Sequence, residues 1–573
     1  MIAFVVLFSM AALSLGYVFY GKYLAKKLNV DDKNTTPACQ INDGVDFVPA
    51  KSSLLIGQHF SAIAAAGPIV GPILAGVFFG WVPALIWIIL GSIFIGGVHD
   101  FSSLLVSVRH KASSIAEVLK QYMSPASHIM FLIFIWLTLI YVIIAFTDIT
   151  AQTFVGVVKS ADGTASVMGP GVVVASFVYL LLGIIMGVLL YKFNVNLKLL
   201  TGLFIPILIF VIYYSTVLPS SVVNAISGVD VRSWEVILLV YCFIASLLPM
   251  WLLLQPRGYL GGWFLYLTIA ISLIGSLFGG FSVQYPAFNL EGIKSLQNGQ
   301  YLFPMLFITI ACGACSGFHG IVSSGTTSKQ IEKESDTKVV GYGAMLLEGL
   351  VAVLALATVM MIAKGSGSLK DDPNMIYAKG IANYMGLIGV NYNVAIAFAL
   401  LAFSTFVYDT LDVCTRLARY ILQELFGWEG RLSAMVCTFV TLVIPCIFLM
   451  TMQEKAYLAA WSIFGTSNQL LASLVLLAVT VWLLKTGKSI IFAVIPMVIM
   501  TVMTMWSLML IVVPFVGSLF TSFGSIKTNV MISGVVGIIL FLMSLYILAE
   551  AFMLFVKNRG VKPVKEEVEV QEA

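Results

Sequence analysis

The chain has 573 residues, of which 60% are hydrophobic and only 10% are charged. Soluble globular proteins carry roughly 25% charged and 45–50% apolar residues, so this chain lacks the polar residues needed to coat a core in water. The composition excludes a soluble enzyme, a nucleic-acid-binding protein and a disordered scaffold. A net charge of +4 is also too small to indicate an anionic polymer as partner. We predict an all-α polytopic membrane protein.

Fifteen mostly apolar segments are long enough to cross a bilayer, since a helical span needs about 20 residues. They lie near residues 1–20, 54–79, 82–105, 129–156, 171–191, 199–218, 234–255, 259–280, 301–323, 340–363, 393–412, 432–451, 466–484, 489–516 and 529–556. A membrane β-barrel would show alternating segments of about ten residues instead. The sequence therefore predicts about 15 transmembrane helices.

The distribution of basic residues predicts the orientation. With the N-terminus outside and the C-terminus in the cytoplasm, 23 of the 31 Lys and Arg residues lie on the inner side and 8 on the outer side. Basic residues are enriched in cytoplasmic loops, so this orientation is favoured. The mixed-charge segment 557–573 is expected to be a cytoplasmic tail.

The second segment contains GQHFSAIAAAGPIVGPILAG, residues 57–76, and is predicted to be broken. Pro68 and Pro72 lack the N–H groups that would bond the carbonyls of Ala64 and Pro68, and Gly67 and Gly71 precede them. Broken backbone at membrane depth is tolerated where it is buried in protein or lines a polar cavity. In secondary transporters such half-helices hold the substrate and ion sites. A proline kink with close glycine packing is the alternative.

Two further segments show the same signs. In 241–262, Pro249 frees the carbonyl of Ala245, and Ser246 lies nearby. The segment 308–329, ITIACGACSGFHGIVSSGTTSK, combines four Gly with many hydroxyl residues. Those hydroxyls either supply oxygen ligands to a small cation or bond the carbonyl one turn earlier. The sequence supports the two interpretations equally. The hydroxyl residues are Ser316, Ser323, Ser324, Thr326 and Thr327.

The positions of the breaks predict an inverted repeat. Segments two to six run from the inside outwards and segments seven to eleven from the outside inwards, and a broken segment begins each set, as in transporters built from such repeats. The predicted units are an extra N-terminal helix at 1–20, repeats at 53–218 and 234–425, C-terminal helices at 432–556 and the tail at 557–573.

Ionisable residues within membrane segments are costly, and each is a candidate for function. His59, His319 and Glu348 are the candidates for proton coupling, because histidine titrates near neutral pH. For the two histidines, a hydrogen-bonded core position is the alternative. Asp409 and Asp412 end the eleventh segment, where we expect an ion pair with Arg416 at the inner membrane surface.

Cys312 and Cys315 form a CxxC motif without a second ligand pair, whereas a structural metal site needs four ligands and a catalytic one at least three. We expect small packing residues there and no cofactor. Intramembrane catalysis is a remote alternative that depends on Ser316 and His319, since a nucleophile needs a positioned base.

The broken segments closely resemble the carbon starvation protein A (CstA) family of bacterial inner-membrane transporters. The matching stretches are GQHFSAIAAAGPIVGPILA (57–75), LPMWLLLQPRGYL (248–260), FITIACGACSGFHGIVSSGTTSK (307–329), DVCTRLARYILQEL (412–425) and, less extensively, NDGVDFVP (42–49) and GYGAMLLE (341–348). Gln58-His59 stands where many members have His-His, and the chain resembles a short form of the family.

The resemblance implies secondary transport of short peptides or of pyruvate, linked to carbon starvation, and kinship with the amino acid–polyamine–organocation superfamily. It therefore agrees with an inverted five-plus-five repeat like that of the leucine transporter. The partners expected are the membrane and a small solute, with no nucleic acid, and the oligomeric state stays open.

These observations predict an ion-coupled importer with H⁺ or Na⁺ as the coupling ion. A channel is the alternative, because broken helices also build ion filters. The predicted substrate residues are Gln58, His59, Gly67, Pro68, Gly71, Pro72, Ser246, Pro249 and His319. The predicted monovalent cation site combines Ala64, Pro68, Ser323, Ser324 and Thr326 or Thr327.

Overall fold

A computed structural model describes residues 1–43, 47–64, 66–159, 165–291, 302–452, 455–521 and 528–557. The predicted tail at 557–573 lies outside these residues except for Lys557, and so does part of the 42–49 motif.

The helices before residue 292 are α1 (Ile2–Lys27), α2 (Pro37–Ile41), α3 (Ser52–Ile63), α4 (Gly67–Phe79), α5 (Trp81–Arg109), α6 (Ile115–Lys120), α7 (Pro125–Phe154), α8 (Gly169–Tyr191), α9 (Leu197–Ser215), α10 (Ser220–Ser227), α11 (Val231–Leu247) and α12 (Leu254–Phe278). Between α7 and α8, strands β1 (Val157–Lys159) and β2 (Ala165–Val167) pair antiparallel, with Val157 opposite Val167. The expectation of an all-helical chain therefore misses one short hairpin.

The helices after residue 301 are α13 (Leu302–Thr309), α14 (Gly317–Val322), α15 (Lys338–Met360), α16 (Pro373–Gly386), α17 (Tyr392–Phe426), α18 (Arg431–Thr451), α19 (Ala456–Lys485), α20 (Ile491–Thr521) and α21 (Thr528–Lys557). A π-helical turn, Ser323–Thr327, continues α14.

Within the described residues, twelve helices are long and apolar enough to cross a membrane, and the bent pair α3–α4 makes thirteen. Three of the fifteen predicted spans are not single long helices, and the bent pair α3–α4 is the first of them. The segment 234–255 ends early, because α11 has 17 residues, and the segment 301–323 is divided between α13 and α14. The chain is a multi-pass membrane protein, whereas the count of 15 and the inverted repeat stay predictions.

The predicted break in the second segment is present but shorter than expected. Helix α3 ends at Ile63 and α4 begins at Gly67, with a bend of 45° between them. The sequence predicts the interruption at Pro68 and Pro72, and this position is wrong because residues 67–72 are helical. Pro68 occupies the first turn of α4, where an N–H has no helical partner in any case, and Pro72 lies inside the helix.

The predicted break at Pro249 lies elsewhere in the fold. Pro249 belongs to the connection between α11 and α12, so it separates two helices and does not interrupt one span. The second broken span is instead 301–323, which divides after Thr309 and resumes at Gly317. An inverted repeat whose second unit begins with a broken helix at 234 is therefore not supported by this break.

Three π-helical turns, at Gly16–Tyr20, Ser92–Gly96 and Lys338–Tyr342, bring α1, α5 and α15 together. The hydroxyl of Tyr342 donates to the carbonyls of Ile93, at 3.1 Å, and Gly16, at 3.4 Å. Such turns widen a helix and leave carbonyls without their usual partners. The Tyr342 hydroxyl lies within hydrogen-bond distance of both carbonyls and so links the three helices.

Candidate transport site

The two broken segments pack directly against each other. A Cβ atom placed on Gly67 would lie 2.5 Å from Cys312 Sγ, and one on Gly71 would lie 2.5 Å from the carbonyl oxygen of Thr309. Glycine therefore permits this approach of two backbones in a membrane interior, as small residues do at helix interfaces. The glycines predicted as substrate residues have a packing role in this contact.

Two amide side chains of α19 satisfy the backbone freed by the second break. Asn468 Oδ1 accepts a hydrogen bond from the backbone N–H of Phe318 at 2.9 Å. Gln469 Nε2 donates to the carbonyl of Phe307 at 3.0 Å and approaches that of Ile310 at 3.4 Å. Because bare backbone groups cost several kcal/mol in a membrane, these amides make the break tolerable. Sequence analysis missed both of them, although the polar run TSNQL, residues 466–470, within an apolar segment was a visible signal.

The break also argues against intramembrane catalysis. Asn468 Nδ2 lies 3.0 Å from Ser316 Oγ, whereas the ring of His319 faces the carboxylates of Asp100 and Glu348. Ser316 therefore has no imidazole base positioned on its hydroxyl among the described residues. Cys312 and Cys315 are buried free thiols.

Four ionisable side chains form a continuous network at the centre of the molecule. His319 Nδ1 lies 2.8 Å from Asp100 Oδ2, and His319 Nε2 lies 3.2 Å from Glu348 Oε2. The second oxygen of Asp100 lies 2.7 Å from His99 Nδ1. All four side chains are fully buried. The structure thus brings together two predicted proton-coupling candidates, His319 and Glu348, and adds His99 and Asp100 of α5.

His59, the third proton-coupling candidate, lies on α3 and is bonded to the π turn after α14. Its Nδ1 atom lies 2.9 Å from Thr327 Oγ1. Gln58, His59, Thr326 and Thr327 line a cavity of about 30 Å³, which has room for one or two water molecules. In this conformation the cavity is closed to a solute-sized molecule.

Asp409, on the opposite wall of this cavity, belongs to a second buried charge cluster. Arg257 Nε donates to Asp409 Oδ1 at 2.8 Å, and Arg257 Nη1 bonds to Asp412 Oδ2. Ser61 donates its hydroxyl proton to Asp409 Oδ2. The expected Asp412–Arg416 pair at the membrane surface is therefore wrong, because Arg257 reaches both aspartates from α12 in the protein interior.

Arg416 instead bonds the end of α11, next to the predicted substrate residues Ser246 and Pro249. Its Nη2 donates to the carbonyls of Ala245 and Leu248 at 2.9 and 2.7 Å, and Arg419 Nη1 donates to that of Ser246 at 2.8 Å. The carbonyls at the end of α11, which Pro249 leaves free, are thus satisfied by cations of α17, as the helix dipole favours.

Ser246 and Pro249 themselves contribute to packing in this conformation. The hydroxyl of Ser246 lies 3.3 Å from Thr438 Oγ1 on α18, and Pro249 lies in the turn between α11 and α12. Met250, the residue after Pro249, lines the cavity. Substrate contacts of Ser246 and Pro249 therefore stay predictions.

Three of the four hydroxyl positions in the predicted cation site have hydrogen-bond partners inside the protein. Ser324 and Thr326 donate to the carbonyls of Gly320 and Val322, one turn earlier, at 2.8 and 3.0 Å, which is the alternative left open by the sequence. The Thr327 hydroxyl bonds His59. Ser323 Oγ is buried and has no hydrogen-bond partner among the described residues.

A second, larger cavity of about 440 Å³ lies on the side predicted to face the cytoplasm. The turn 111–117, Ser324, Lys329 and the end of α17 line it. A Cβ atom on Gly325 would lie 2.9 Å from Leu417 Cδ2, and both residues line the larger cavity. Thr326, the next residue, and Val413, one turn before Leu417, line the smaller one. The π turn after α14 is thus part of the wall of both cavities.

Asp148 is a further buried ionisable residue and lies on α7. Its carboxylate accepts hydrogen bonds from the backbone N–H of Tyr457 at 2.6 Å and from Gln152 Nε2 at 3.1 Å. It joins α7 to α19 and lies outside both cavities.

Comparison with known proteins shows similarity to one family of transporters. The family described as "Carbon starvation protein CstA" matches residues 1–371 and 366–507. The peptide transporter CstA of Helicobacter pylori is 31% identical over 565 residues, which cover 87% of this chain and 80% of the relative. The pyruvate/proton symporter BtsT of Escherichia coli is 29% identical, covering 88% of this chain and 81% of its own length.

Among solved structures, a manganese transporter mutant of Eremococcus coleocola aligns with 90% of this chain and 99% of its own. The TM-score is 0.46 and the sequence identity 14%, which is too little to establish a shared fold.

Proposed function

Because the chain belongs to the carbon starvation protein CstA family and is a membrane transporter, not an enzyme, we propose that it imports a small organic solute across the bacterial inner membrane together with protons. Its N-terminus lies outside and its C-terminus in the cytoplasm. The relatives' names point to short peptides or pyruvate as the solute, and the family's name points to a role in carbon starvation.

The observation that carries proton coupling is the buried network of His99, Asp100, His319 and Glu348. Each of these side chains is ionisable, and each contacts another member of the network. Adding or removing one proton changes the net charge of a region sealed from water, where an uncompensated charge is expensive. Such a network therefore favours conformations that expose it to one side of the membrane when its protonation changes.

Sodium coupling has weaker support in this conformation. The hydroxyls of Ser324 and Thr326 donate to helix carbonyls, as such residues do in ordinary helices, so their bonding gives no separate support for a cation site. We therefore favour H⁺ over Na⁺ as the coupling ion.

The two cavities provide the solute's route. The cavity of about 30 Å³ beside His59 and Asp409, here called the central cavity, is the binding region. The cavity of about 440 Å³ is the vestibule on the cytoplasmic side. Gly325 and Leu417 lie at the boundary between them. Transport by alternating access requires this boundary to open, since the central cavity holds only one or two water molecules.

The test is uptake by purified protein in liposomes, with labelled pyruvate and a labelled dipeptide under imposed proton or sodium gradients. We expect accumulation driven by an inward proton gradient and unaffected by sodium. His319→Gln should abolish the response to the proton gradient, whereas the control His128→Gln, at the start of α7 beside Glu424, should keep it. Accumulation by His319→Gln at the wild-type level, or ohmic single-channel current in place of accumulation, would contradict the proposal.

A further inference from the structure

Arg257 is the most deeply buried cation among the described residues, with no exposed surface. It lies in the first turn of α12, within the sequence LLLQPRGYL. Besides its bonds to Asp409 and Asp412, its Nη1 donates to the hydroxyl of Tyr241 at 2.6 Å. A guanidinium is always charged and binds planar carboxylates through parallel hydrogen bonds, so it is well suited to recognise a carboxylate ligand.

Anchoring of helices does not account for this cluster. Replacing a buried ion pair by apolar residues is often neutral or stabilising, so such a pair is poor evidence for a purely structural role. One guanidinium between two aspartates also leaves one negative charge in excess when both aspartates are ionised. The end of α11 is also joined to α17 independently of this cluster, through Arg416 and Arg419.

One side chain, that of Asp409, separates the guanidinium of Arg257 from the central cavity. Asp409 lines that cavity, together with Gly258, the residue after Arg257. A Cβ atom on Gly261 would lie 2.7 Å from Asp409 Oδ2, so glycine at this position leaves space for the carboxylate. A rotation of the Asp409 side chain away from Arg257 would open the guanidinium to the cavity.

We propose that Arg257 binds the carboxylate of the transported solute, which takes the place of Asp409 on the guanidinium. Asp409 then keeps its hydrogen bond from Ser61, and Asp412 keeps Arg257 oriented. In the empty transporter the two aspartates hold the guanidinium, which would otherwise be an unpaired charge in the protein interior. This inference rests on the proposed function, because it names the group by which the imported solute is recognised.

Charge balance separates the two sources of such a carboxylate. Pyruvate brings one negative charge, which the co-transported proton of the proposed function cancels, so its uptake is electroneutral. A dipeptide is a zwitterion whose C-terminal carboxylate would occupy the same site, and its uptake with one proton moves one positive charge inwards. A potassium diffusion potential, negative inside, should therefore accelerate dipeptide uptake and leave pyruvate uptake unchanged.

The first experiment needs no variant. Binding of labelled pyruvate and of labelled alanyl-alanine to the purified protein is measured by scintillation proximity, with unlabelled competitors. We expect pyruvate or alanyl-alanine to compete, and pyruvamide or alanyl-alaninamide to compete at least about 30-fold less well, the loss expected when a buried charged hydrogen bond has no partner. An amide that competes as well as its acid would overturn the inference.

The second experiment uses variants. Arg257→Gln should weaken binding of the acid by about 30-fold or more and leave binding of the amide unchanged. Arg232→Gln, a matched change at the start of α11, should bind as the wild type does. Asp409→Asn should bind the acid about tenfold more tightly, because one charged competitor for the guanidinium is removed. If Arg257→Gln does not fold, the charge-balanced double variant Arg257→Gln/Asp409→Asn replaces it, with the same expected loss.

The outcomes distinguish this inference from the proposed function. If uptake ignores the proton gradient while Arg257→Gln still loses acid binding, proton coupling fails and the carboxylate site stands. If Asp409→Asn fails to tighten binding and Arg257→Gln binds the acid normally, the carboxylate site fails and proton coupling is untouched. If the wild type binds neither solute, both proposals are overturned.

Discussion

The contact between the two broken segments makes a quantitative prediction at Gly71. An added Cβ would lie 2.5 Å from the carbonyl oxygen of Thr309 and 3.3 Å from the Cα of Ile310, whereas ordinary contacts begin at 3.4 Å. Since the opposing atoms belong to the backbone, α4 and α13 must separate by about 0.9 Å to accommodate Gly71→Ala. Overpacking of this kind costs about 1–3 kcal/mol.

Helix propensity acts in the opposite direction and supplies a control. Ala stabilises a helix over Gly by about 1 kcal/mol. Gly202, on the exposed face of α9, has no atom within 4 Å of an added Cβ, so Gly202→Ala should have the full gain. The two variants should therefore differ by about 1–3 kcal/mol in the free energy of unfolding, the overpacking cost itself.

The assay is the midpoint of heat-induced loss of the monodisperse peak, measured by fluorescence-detected size exclusion, together with uptake in liposomes. We expect Gly71→Ala to lower the midpoint and to reduce uptake. Displacing the second broken segment also moves its π turn, Ser323–Thr327, which lines the central cavity. Gly202→Ala should keep or raise the midpoint and transport normally. Equal midpoints for the two variants would refute the close backbone contact.

Three further predictions concern the cavities and the polar residues. His59→Ala should lower uptake at least about tenfold, equivalent to ~1.4 kcal/mol, with little change in folded yield, because it removes the polar group facing Thr326 and Thr327 in the cavity; normal uptake would exclude a role in transport. Ser324→Ala should leave the sodium concentration dependence and the pH profile of uptake unchanged, and a raised sodium requirement would instead restore the predicted cation site. Tyr420→Cys, in the vestibule, should react with a membrane-impermeant thiol reagent only from the cytoplasmic side, and Ser220→Cys only from outside, in a background lacking the exposed Cys39; the reverse pattern would invert the orientation.

Much of the architecture followed from the sequence because membrane helices have a strong compositional signal. Both broken segments, at 57–76 and 308–329, were recognised, since Gly and Pro within an apolar run weaken or remove the hydrogen bonds of a regular helix. The assignment of Pro249 failed for a related reason. A proline between two apolar segments looks the same whether it interrupts a span or connects two helices, and only the length of α11 decides.

The partners of the buried charges were beyond reach from the sequence. Asp412 and Arg416 are four residues apart, and a helix places such residues on one face, so local spacing favoured their pairing. In the structure Asp412 is bonded by Arg257, more than 150 residues away in the sequence. Arg416 donates instead to a carbonyl at the end of α11. A helix face contacts several neighbours, and which neighbour supplies the counter-ion depends on the tertiary arrangement.

The polar residues of the site follow from one physical requirement. A break in a membrane helix leaves backbone groups without partners, and side chains from other helices must satisfy them. Asn468 and Gln469 do so at the break before α14, and the same short segment carries His319 into contact with Asp100 and Glu348. The side chains that satisfy the break and the buried ionisable network therefore contact the same short segment of backbone. His319 lies in this least regular part of the fold, next to the turn that lines both cavities, so the proposed coupling requires no long path between the ionisable network and the solute's route.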